Sequence, residues 1–295
     1  MSHRFSEWAG AAAAVAAVAW LASGPAAGQA PQPQTGCPLQ EYALFHSCAL
    51  EKAKTFNPPR TVDGKPDLQG YWRAPGSGTE NIEEHPKTSD DAGGASMVVD
   101  PPDRKIPYQP WGRQQAQENR DKYVEPNTAC FPSGVPRVFH TPTRFETLQT
   151  PGYVVLLVER AHVYRIIPTD PRSHVGKDID LWLGDSRGRW EGNTLVVDVT
   201  SQNGKPWFDQ RGNFSSRTAH MVERFTLIEA DTIHYAVTIE DPNVYTRPWT
   251  MVYPMRRLRP FELPEEACHE NEYNTDGLIK LGYRIYPGAR PPAAR

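Results

Sequence analysis

DLWLGDSRGRWEGNTLVVDVT, residues 180–200, is the stretch that decides the fold of this chain. Two runs with alternating or β-branched residues flank the dipeptide Gly192-Asn193, which is typical of a two-residue hairpin turn. The same stretch contains two tryptophans, four acidic residues and two arginines. It therefore predicts a β-hairpin that also carries many groups able to do chemistry.

Further strands are predicted on both sides of this hairpin. Each has apolar residues at every second position or throughout, and each is bounded by turn residues. An unbroken apolar run indicates a strand that is buried on both faces, and this applies to residues 153–158. The predicted strands cover residues 70–72, 153–158, 162–167, 219–227, 232–239 and 249–255.

These strands predict a mainly β fold. About eight antiparallel strands joined by short turns close best as an up-and-down barrel, because closure removes exposed strand edges. Short N-terminal helices and long Pro-rich loops complete the expected fold, in keeping with the 29 prolines of the chain. A two-sheet β-sandwich is the alternative.

The predicted organisation is a signal peptide, a linker and one domain. Residues 1–28 contain an apolar run of about 14 residues, short of the ~20 that a spanning helix needs, and small residues follow it, which is typical of a Sec-type signal peptide. Residues 29–60 are predicted as a linker and a short helical segment. Residues 61–295 are predicted as a single β-barrel domain with a long loop insertion at 74–143, which includes a polar helix at 111–123. We therefore expect a periplasmic or secreted bacterial protein.

The four cysteines fit this location, because an even number in an oxidising compartment favours disulfides. The favoured pairs are Cys130 with Cys268 and Cys37 with Cys48. A continuous helix would separate the second pair by about 16 Å, whereas bonded cysteines have Cα atoms within about 7 Å. Either the chain turns before Gln40 or this second pairing is wrong.

Bulk properties exclude several classes of function. The net charge of −3 and the absence of a basic stripe argue against a nucleic-acid partner. No second apolar run of spanning length follows the predicted signal peptide, so no stable membrane anchor is expected after cleavage. The chain has no glycine-rich phosphate loop, no His-Glu-x-x-His motif and no haem attachment motif, so no cofactor is predicted. No metal site is predicted either, although the scattered histidines His162, His174, His220 and His234 leave a metal open.

Strand alternation divides the hairpin into two faces. Trp182 and Trp190 share one face, and Asp185 and Arg189 share the other. In the functional interpretation, the tryptophans form a stacking wall for a flat or sugar-like ligand, and the charged pair orients a substrate at the barrel mouth. In the structural interpretation, the tryptophans belong to the core and the charges form an ion-paired turn. Only one of the two faces can point inward.

The predicted strand 219–227 supplies the strongest candidates for proton transfer. Glu223 lies between apolar residues on one face, where a carboxylate is costly unless it is paired. It is a candidate acid or base, and the alternative is a buried ion pair with an arginine such as Arg165 or Arg189. His220 is a second candidate base. It projects to the opposite face, so the two cannot line one cavity without a bulge.

Three further residues are candidates for ligand binding. His174 lies in the loop before the hairpin, and Asp209 lies in a second polar loop that can approach the same rim. Trp249 begins the last predicted strand and would extend the aromatic wall. The alternatives are the ordinary roles of these residue types, namely a solvated histidine, a turn carboxylate and a core tryptophan.

Two resemblances to known families add to this interpretation. The chain resembles a largely uncharacterised family of secreted bacterial proteins with a motif of the type GDSRGRWEGNTLVVDV, here residues 184–199. Many members of that family have a histidine at the position of Ser215, so any task of that histidine is lost or moved here. Gly70-Tyr71-Trp72 resembles the Gly-x-Trp element of lipocalin-like (calycin) barrels, which implies the barrel fold. The other stretches that match the secreted family are residues 100–111, 130–137, 148–152, 222–226 and 240–249.

The sequence leads to three functional hypotheses. The first is a secreted enzyme without a nucleotide cofactor, a hydrolase, lyase or isomerase that uses acid/base chemistry on a small organic molecule in the barrel cavity. Glu223, His220 and Asp185 would be its catalytic residues. The second is a non-catalytic, lipocalin-like small-molecule binder, and the third is an envelope interaction protein that uses the long loop. The fold cannot choose among them, because function depends on the site.

Overall fold

The computed structural model of the protein describes residues 36–89, 91–141, 143–176, 178–268 and 273–289. The predicted signal peptide, residues 1–28, lies outside the described residues. Within the described part of the chain, no helix is both long and apolar enough to cross a membrane.

Twelve strands and four α-helices make up the described chain. The strands are β1 (Gly70–Arg73), β2 (Val98–Asp100), β3 (Tyr123–Val124), β4 (Arg144–Thr150), β5 (Tyr153–Val158), β6 (Tyr164–Pro168), β7 (Asp185–Glu191), β8 (Thr194–Thr200), β9 (His220–Glu229), β10 (Thr232–Glu240), β11 (Trp249–Arg257) and β12 (Arg284–Ile285). The helices are α1 (Tyr42–Thr55), α2 (Pro110–Lys122), α3 (Arg137–His140) and α4 (Tyr273–Lys280).

Ten of the strands form one antiparallel sheet that is nearly closed into a barrel. The order in the sheet is β6-β5-β4-β1-β11-β10-β9-β8-β7, and β2 pairs with β11. The predicted barrel is therefore confirmed. The alternative, a sandwich, would need two packed sheets, whereas these ten strands form one. The predicted hairpin is β7–β8, and it turns at Gly192 with a φ of +58°, a conformation that favours glycine.

The barrel has a seam between β6 and β7, the two end strands of the sheet. No backbone ladder joins these two strands in the described structure. They nevertheless approach closely at Gly188 of β7, where an added Cβ would lie only 2.9 Å from Cγ2 of Ile167. Glycine permits this contact, and side chains must complete the closure.

Two disulfides hold the periphery of the barrel. Cys37–Cys48 and Cys130–Cys268 each have a Cα–Cα distance of 5.7 Å, so both favoured pairings are confirmed. The first is possible because the chain turns at residues 39–40 and α1 begins only at Tyr42. All four cysteines are paired, which indicates an oxidising, extracytoplasmic compartment.

The short helix α3 fills the inside of the barrel. Phe139 of α3 is fully buried and its ring contacts Phe145, Phe225 and Tyr235, with centroid distances of 5.0 to 5.9 Å. These aromatic contacts come from β4, β9 and β10, so the helix packs against strands on different sides of the lumen. The barrel interior is therefore a packed core.

Two segments differ from their predicted burial. The loop insertion predicted at 74–143 contributes β2 to the sheet, and its residues Ile82 and Met97 are fully buried. In β5, buried residues alternate with half-buried ones, so burial on both faces was wrong. The reason is that α1 packs over the outer face of β10 and β11, through Phe45 and Ala49, and leaves the outer face of β5 at the surface.

The role of α3 predicts a large effect of a cavity in the lumen. Phe139→Ala should lower the free energy of unfolding by about 3–5 kcal/mol, because it removes a ring that the surrounding strands cannot replace. Phe131→Ala is the matched control, since Phe131 is 42% exposed and should cost about 1 kcal/mol or less. Urea unfolding with intact disulfides measures both, and equal losses would argue against a lumen packed around α3.

Candidate functional site

Side-chain contacts show which face of the β7–β8 hairpin points into the barrel. Ser186, Gly188 and Trp190 lie on the inner face, since Ser186 bonds an arginine inside the barrel. Asp185 and Arg189 lie on the outer face. Of the predicted tryptophan face, Trp190 therefore points inward, whereas Trp182 lies before β7; the charged face points outward.

On the inner face, Glu223 of β9 forms a buried ion pair. Its carboxylate accepts two hydrogen bonds from the guanidinium of Arg165 on β6, one of them with an Nη1–Oε1 distance of 3.0 Å. The hydroxyl of Tyr235 donates to the same carboxylate at 2.8 Å, and Arg165 Nε donates to Ser186 Oγ at 2.9 Å. Glu223 is 0% exposed, so solvent does not reach it. The structural alternative for Glu223, a pair with Arg165, is the arrangement found.

The hydrogen bonds among Arg165, Ser186, Glu223 and Tyr235, which we call the inner network, span the seam. Arg165 belongs to β6, whereas Ser186 belongs to β7 and Glu223 to β9. Its hydrogen bonds thus connect the two strands that have no backbone ladder between them. A buried charge with all its partners present is tolerated, but one that loses a partner is costly.

Four side chains meet on the outer face of β7, β8 and β9, and we call them the outer cluster: Asp185, His174, Asp198 and His220. His174 Nδ1 lies 2.7 Å from Asp185 Oδ2, and its Nε2 lies 2.8 Å from Asp198 Oδ1. His220 Nε2 lies 2.8 Å from Oδ2 of Asp198. The outer cluster is a chain of three hydrogen bonds that ends at His220.

Hydrogen-bond chemistry orders the protons in this chain. Ionised carboxylates only accept hydrogen bonds, so each imidazole nitrogen that bonds one must donate. Both nitrogens of His174 therefore donate. In His220 the proton lies on Nε2, and Nδ1 has no partner among the described residues. The His220 side chain is 40% exposed, so its second nitrogen is open to a ligand.

The electrostatics of the outer cluster centre on Asp198. Partial burial raises the pKa of its carboxyl, but the hydrogen bonds from His220 and His174 outweigh this and hold the pKa below its ordinary value. A lowered carboxyl pKa stabilises the fold above the ordinary pKa of Asp. That contribution is lost as the pH falls through the lowered value.

The loop between β6 and β7 reaches the outer cluster and crosses the seam on the outside. Arg187 fastens it further, since Nε donates to the carbonyl of Ser173 at 2.9 Å and Nη1 donates to Asp185 at 2.6 Å. An exposed ion pair between Arg217 and Asp180 joins the same loop to the segment before β9. The loop that carries His174 and the segment that leads into His220 are therefore held together.

The structure brings together three of the predicted site residues, Asp185, His174 and His220. Glu223 lies on the opposite face of β9. The fourth member of the outer cluster, Asp198, was missed by sequence reasoning. Its signal is the single charged residue inside the apolar run of β8, at a position that alternation places outward beside His220.

The predicted aromatic wall does not form as one surface. Trp182 precedes β7 and stacks on Phe131, with ring centroids 4.8 Å apart. Trp190 is half-buried at the other end of β7. Trp249 is fully buried in the core, where its ring contacts Phe208 and Tyr245.

The two remaining predicted residues have other partners. Arg189 is exposed and pairs with Glu191, its neighbour on β7. Asp209 is fully buried and accepts hydrogen bonds from the backbone of Ile82 and from the amide of Asn213. Burial raises its pKa to about 6, even though these hydrogen bonds act in the opposite direction. Asp209 thus holds the loop at residues 209–213 to the backbone of Ile82.

The described residues offer no group of three or more His, Cys, Asp or Glu side chains that could hold a metal ion. Comparison with protein-family models and with curated proteins found no match for this chain. The resemblance to a secreted bacterial family stays a prediction, whereas the barrel is compatible with the lipocalin-like resemblance.

From the inner network we expect that replacing Glu223 lowers the free energy of unfolding much more than replacing Glu191. Glu223→Ala leaves Arg165 buried without its partner and should cost about 3–5 kcal/mol of unfolding free energy. Glu191→Ala breaks only exposed pairs and should cost about 1 kcal/mol or less. The double variant Arg165→Met/Glu223→Leu should recover most of the loss in chemical denaturation. A double variant less stable than Glu223→Ala would count against this explanation.

The outer cluster predicts a local effect at the β6–β7 loop. His174→Ala should cost about 1–3 kcal/mol, the usual range for hydrogen bonds to charged groups, and should make residues 169–184 sensitive to limited proteolysis. His162→Ala changes an exposed histidine outside the outer cluster and is the control. It should change neither the free energy of unfolding nor the cleavage of residues 169–184. Unchanged cleavage in His174→Ala would show that His174 does not fasten the loop.

Proposed function

We propose that this protein is a secreted or periplasmic acid/base enzyme without a nucleotide cofactor, with His220 as its proton-transfer residue. The observation that carries the proposal is the hydrogen-bond chain of the outer cluster, which is anchored at buried Asp185 and ends at an accessible imidazole. A hydrolase, lyase or isomerase of a small organic molecule is the class of enzyme that such a site serves.

The support for His220 is its orientation. A carboxylate that accepts from one ring nitrogen fixes the tautomer and the direction of the other, and this prepares an imidazole for proton transfer. Asp198 has this role, because its Oδ2 accepts from His220 Nε2 at 2.8 Å. His174 holds the second oxygen of Asp198, so the carboxylate cannot rotate away. The direction of Nδ1 of His220 is thereby set in advance of any substrate.

The surroundings of His220 favour direct proton transfer over covalent catalysis. All four cysteines are in disulfides, so no thiol is available as a nucleophile. Among the described residues, no serine or threonine hydroxyl bonds the free nitrogen of His220. The base would therefore act on a water molecule or on an acidic proton of the substrate itself. Water activation gives a hydrolase, and proton abstraction gives a lyase or an isomerase.

The proposed location of the chemistry differs from the expectation of a barrel cavity. Glu223 is buried in its ion pair with Arg165, and α3 fills the lumen. The inside of the barrel around Glu223 therefore has no room for a substrate. The side chain of His220, in contrast, is 40% exposed on the outer surface, where a substrate can reach it. We assign His220 as the base, Asp198 as the residue that orients it, and His174 and Asp185 as its support.

A non-catalytic small-molecule binder is the second candidate function. It is favoured by a different observation, a pocket of about 300 Å³ at one end of the barrel. This pocket lies away from the outer cluster, and the two candidates do not exclude each other.

The test is an activity screen of wild type beside matched variants. Purified protein is incubated with panels of esters, lactones, amides and hydroxy or keto acids, and products are read by mass spectrometry. His220→Ala should lower any turnover about 10²–10⁴-fold, the usual size of a general base contribution. Asp198→Asn should lower it less, because the imidazole remains.

His162→Ala is the control, since this exposed histidine lies outside the outer cluster, and it should retain wild-type turnover. Circular dichroism checks that each variant is folded. Turnover that persists in His220→Ala, or a wild type inert against every panel, would argue against the enzyme.

A further inference from the structure

A pocket opens at the end of the barrel where the seam between β6 and β7 meets the β4–β5 turn, and we call it the mouth pocket. Its volume is about 300 Å³, which is at the lower end of the range for small-molecule sites. Asp63 and Lys65 of the turn before β1 and Trp190 at the end of β7 are among its lining residues. None of the four residues of the outer cluster lines it.

Most charged groups around the mouth pocket already have partners. Asp170 pairs with Arg172, Arg189 pairs with Glu191, and Asp63 accepts from the hydroxyl of Thr61. The charges of Asp170 and Arg189 are compensated by these ion pairs, whereas the carboxylate of Asp63 is bonded only to a neutral hydroxyl.

Four polar groups of the mouth pocket have no partner among the described residues. They are the ammonium of Lys65, the indole N–H of Trp190 and the hydroxyls of Thr150 and Thr169. The ammonium and the indole N–H can only donate hydrogen bonds, and the hydroxyls can donate or accept. The unpaired set therefore suits a ligand with one negative group and several hydroxyls.

The apolar part of the lining is small and mainly aromatic. Trp190 and Tyr153 supply rings, and Val154 is the one aliphatic side chain on the lining. An aromatic carboxylate could lie against Trp190, but it has no hydroxyls that match those of Thr150 and Thr169. A sugar ring has apolar C–H faces for the indole and hydroxyls at its edge for the threonines.

We propose that the mouth pocket binds a sugar ring that carries a carboxylate. Lys65 would bind the carboxylate, the face of Trp190 would pack on the ring, and Thr150 and Thr169 would bond its hydroxyls. The site is separate from the outer cluster and does not depend on the acid/base function proposed for His220.

The test uses glucuronate and its neutral counterpart glucose as probes. Binding is followed by the NMR resonance of the Trp190 indole N–H and by titration calorimetry on the full mature chain. Glucuronate should shift the Trp190 resonance and bind at least about tenfold more tightly than glucose, a difference of about 1.4 kcal/mol. Lys65→Ala should remove that difference, and because Lys65 is exposed on a turn this variant keeps the fold.

Trp190→Phe and Trp182→Phe form a matched pair. The first removes the pocket's indole N–H but keeps a ring, and should weaken glucuronate binding about tenfold. The second changes a tryptophan outside the pocket and should leave binding unchanged, as should His220→Ala. No shift of the Trp190 resonance with either sugar overturns the proposal, and so does equal binding of the two sugars that is insensitive to Lys65→Ala.

Discussion

The closure of the seam between β6 and β7 is the constraint on which the rest of the structure depends. A barrel gains stability by removing strand edges, yet these two end strands have no backbone ladder between them. Side chains close the gap from both sides. Inside, Arg165 reaches Ser186 and Glu223 in hydrogen bonds that leave no charge unpaired. Outside, the β6–β7 loop crosses the seam and His174 attaches it to Asp185 and Asp198.

The separation of these side chains into an inner and an outer set determines where chemistry is possible. Strand alternation sends Glu223 into the lumen and its near neighbour His220 to the surface, so one strand serves both the core and the outer cluster. The buried pair is fully satisfied and enclosed, which suits a structural role. The outer cluster is partly exposed, and its last imidazole has a free nitrogen, which suits proton transfer. The same hydrogen bonds that fasten the loop over the seam orient His220.

Much of this could be predicted from local sequence pattern, and the failures have physical reasons. Alternation in β7 to β9 correctly separated the faces, because a period of two is a strong signal in long strands. The cost of an unpaired charge indicated that a buried Glu223 would pair with an arginine, with Arg165 and Arg189 as candidates, and the partner is Arg165. The strand β2 and the helix α3 were missed, because segments of three and four residues carry no measurable periodicity. The contact of His174 with Asp198 was also missed, since 24 residues separate the two along the chain and only the tertiary fold joins them.

Hydrogen–deuterium exchange of the double variant Arg165→Met/Glu223→Leu tests the closure of the seam most directly, because it removes the hydrogen bonds across the seam without leaving a buried charge unpaired. If Arg165 holds β6 to its neighbours, amides of β6, β7 and residues 169–184 should exchange faster in this variant than in wild type. Amides of β10 and β11, on the far side of the barrel, should keep their wild-type protection, because backbone ladders on both sides hold these strands. Unchanged exchange at β6 and β7, or a uniform increase over the whole barrel, would contradict the account.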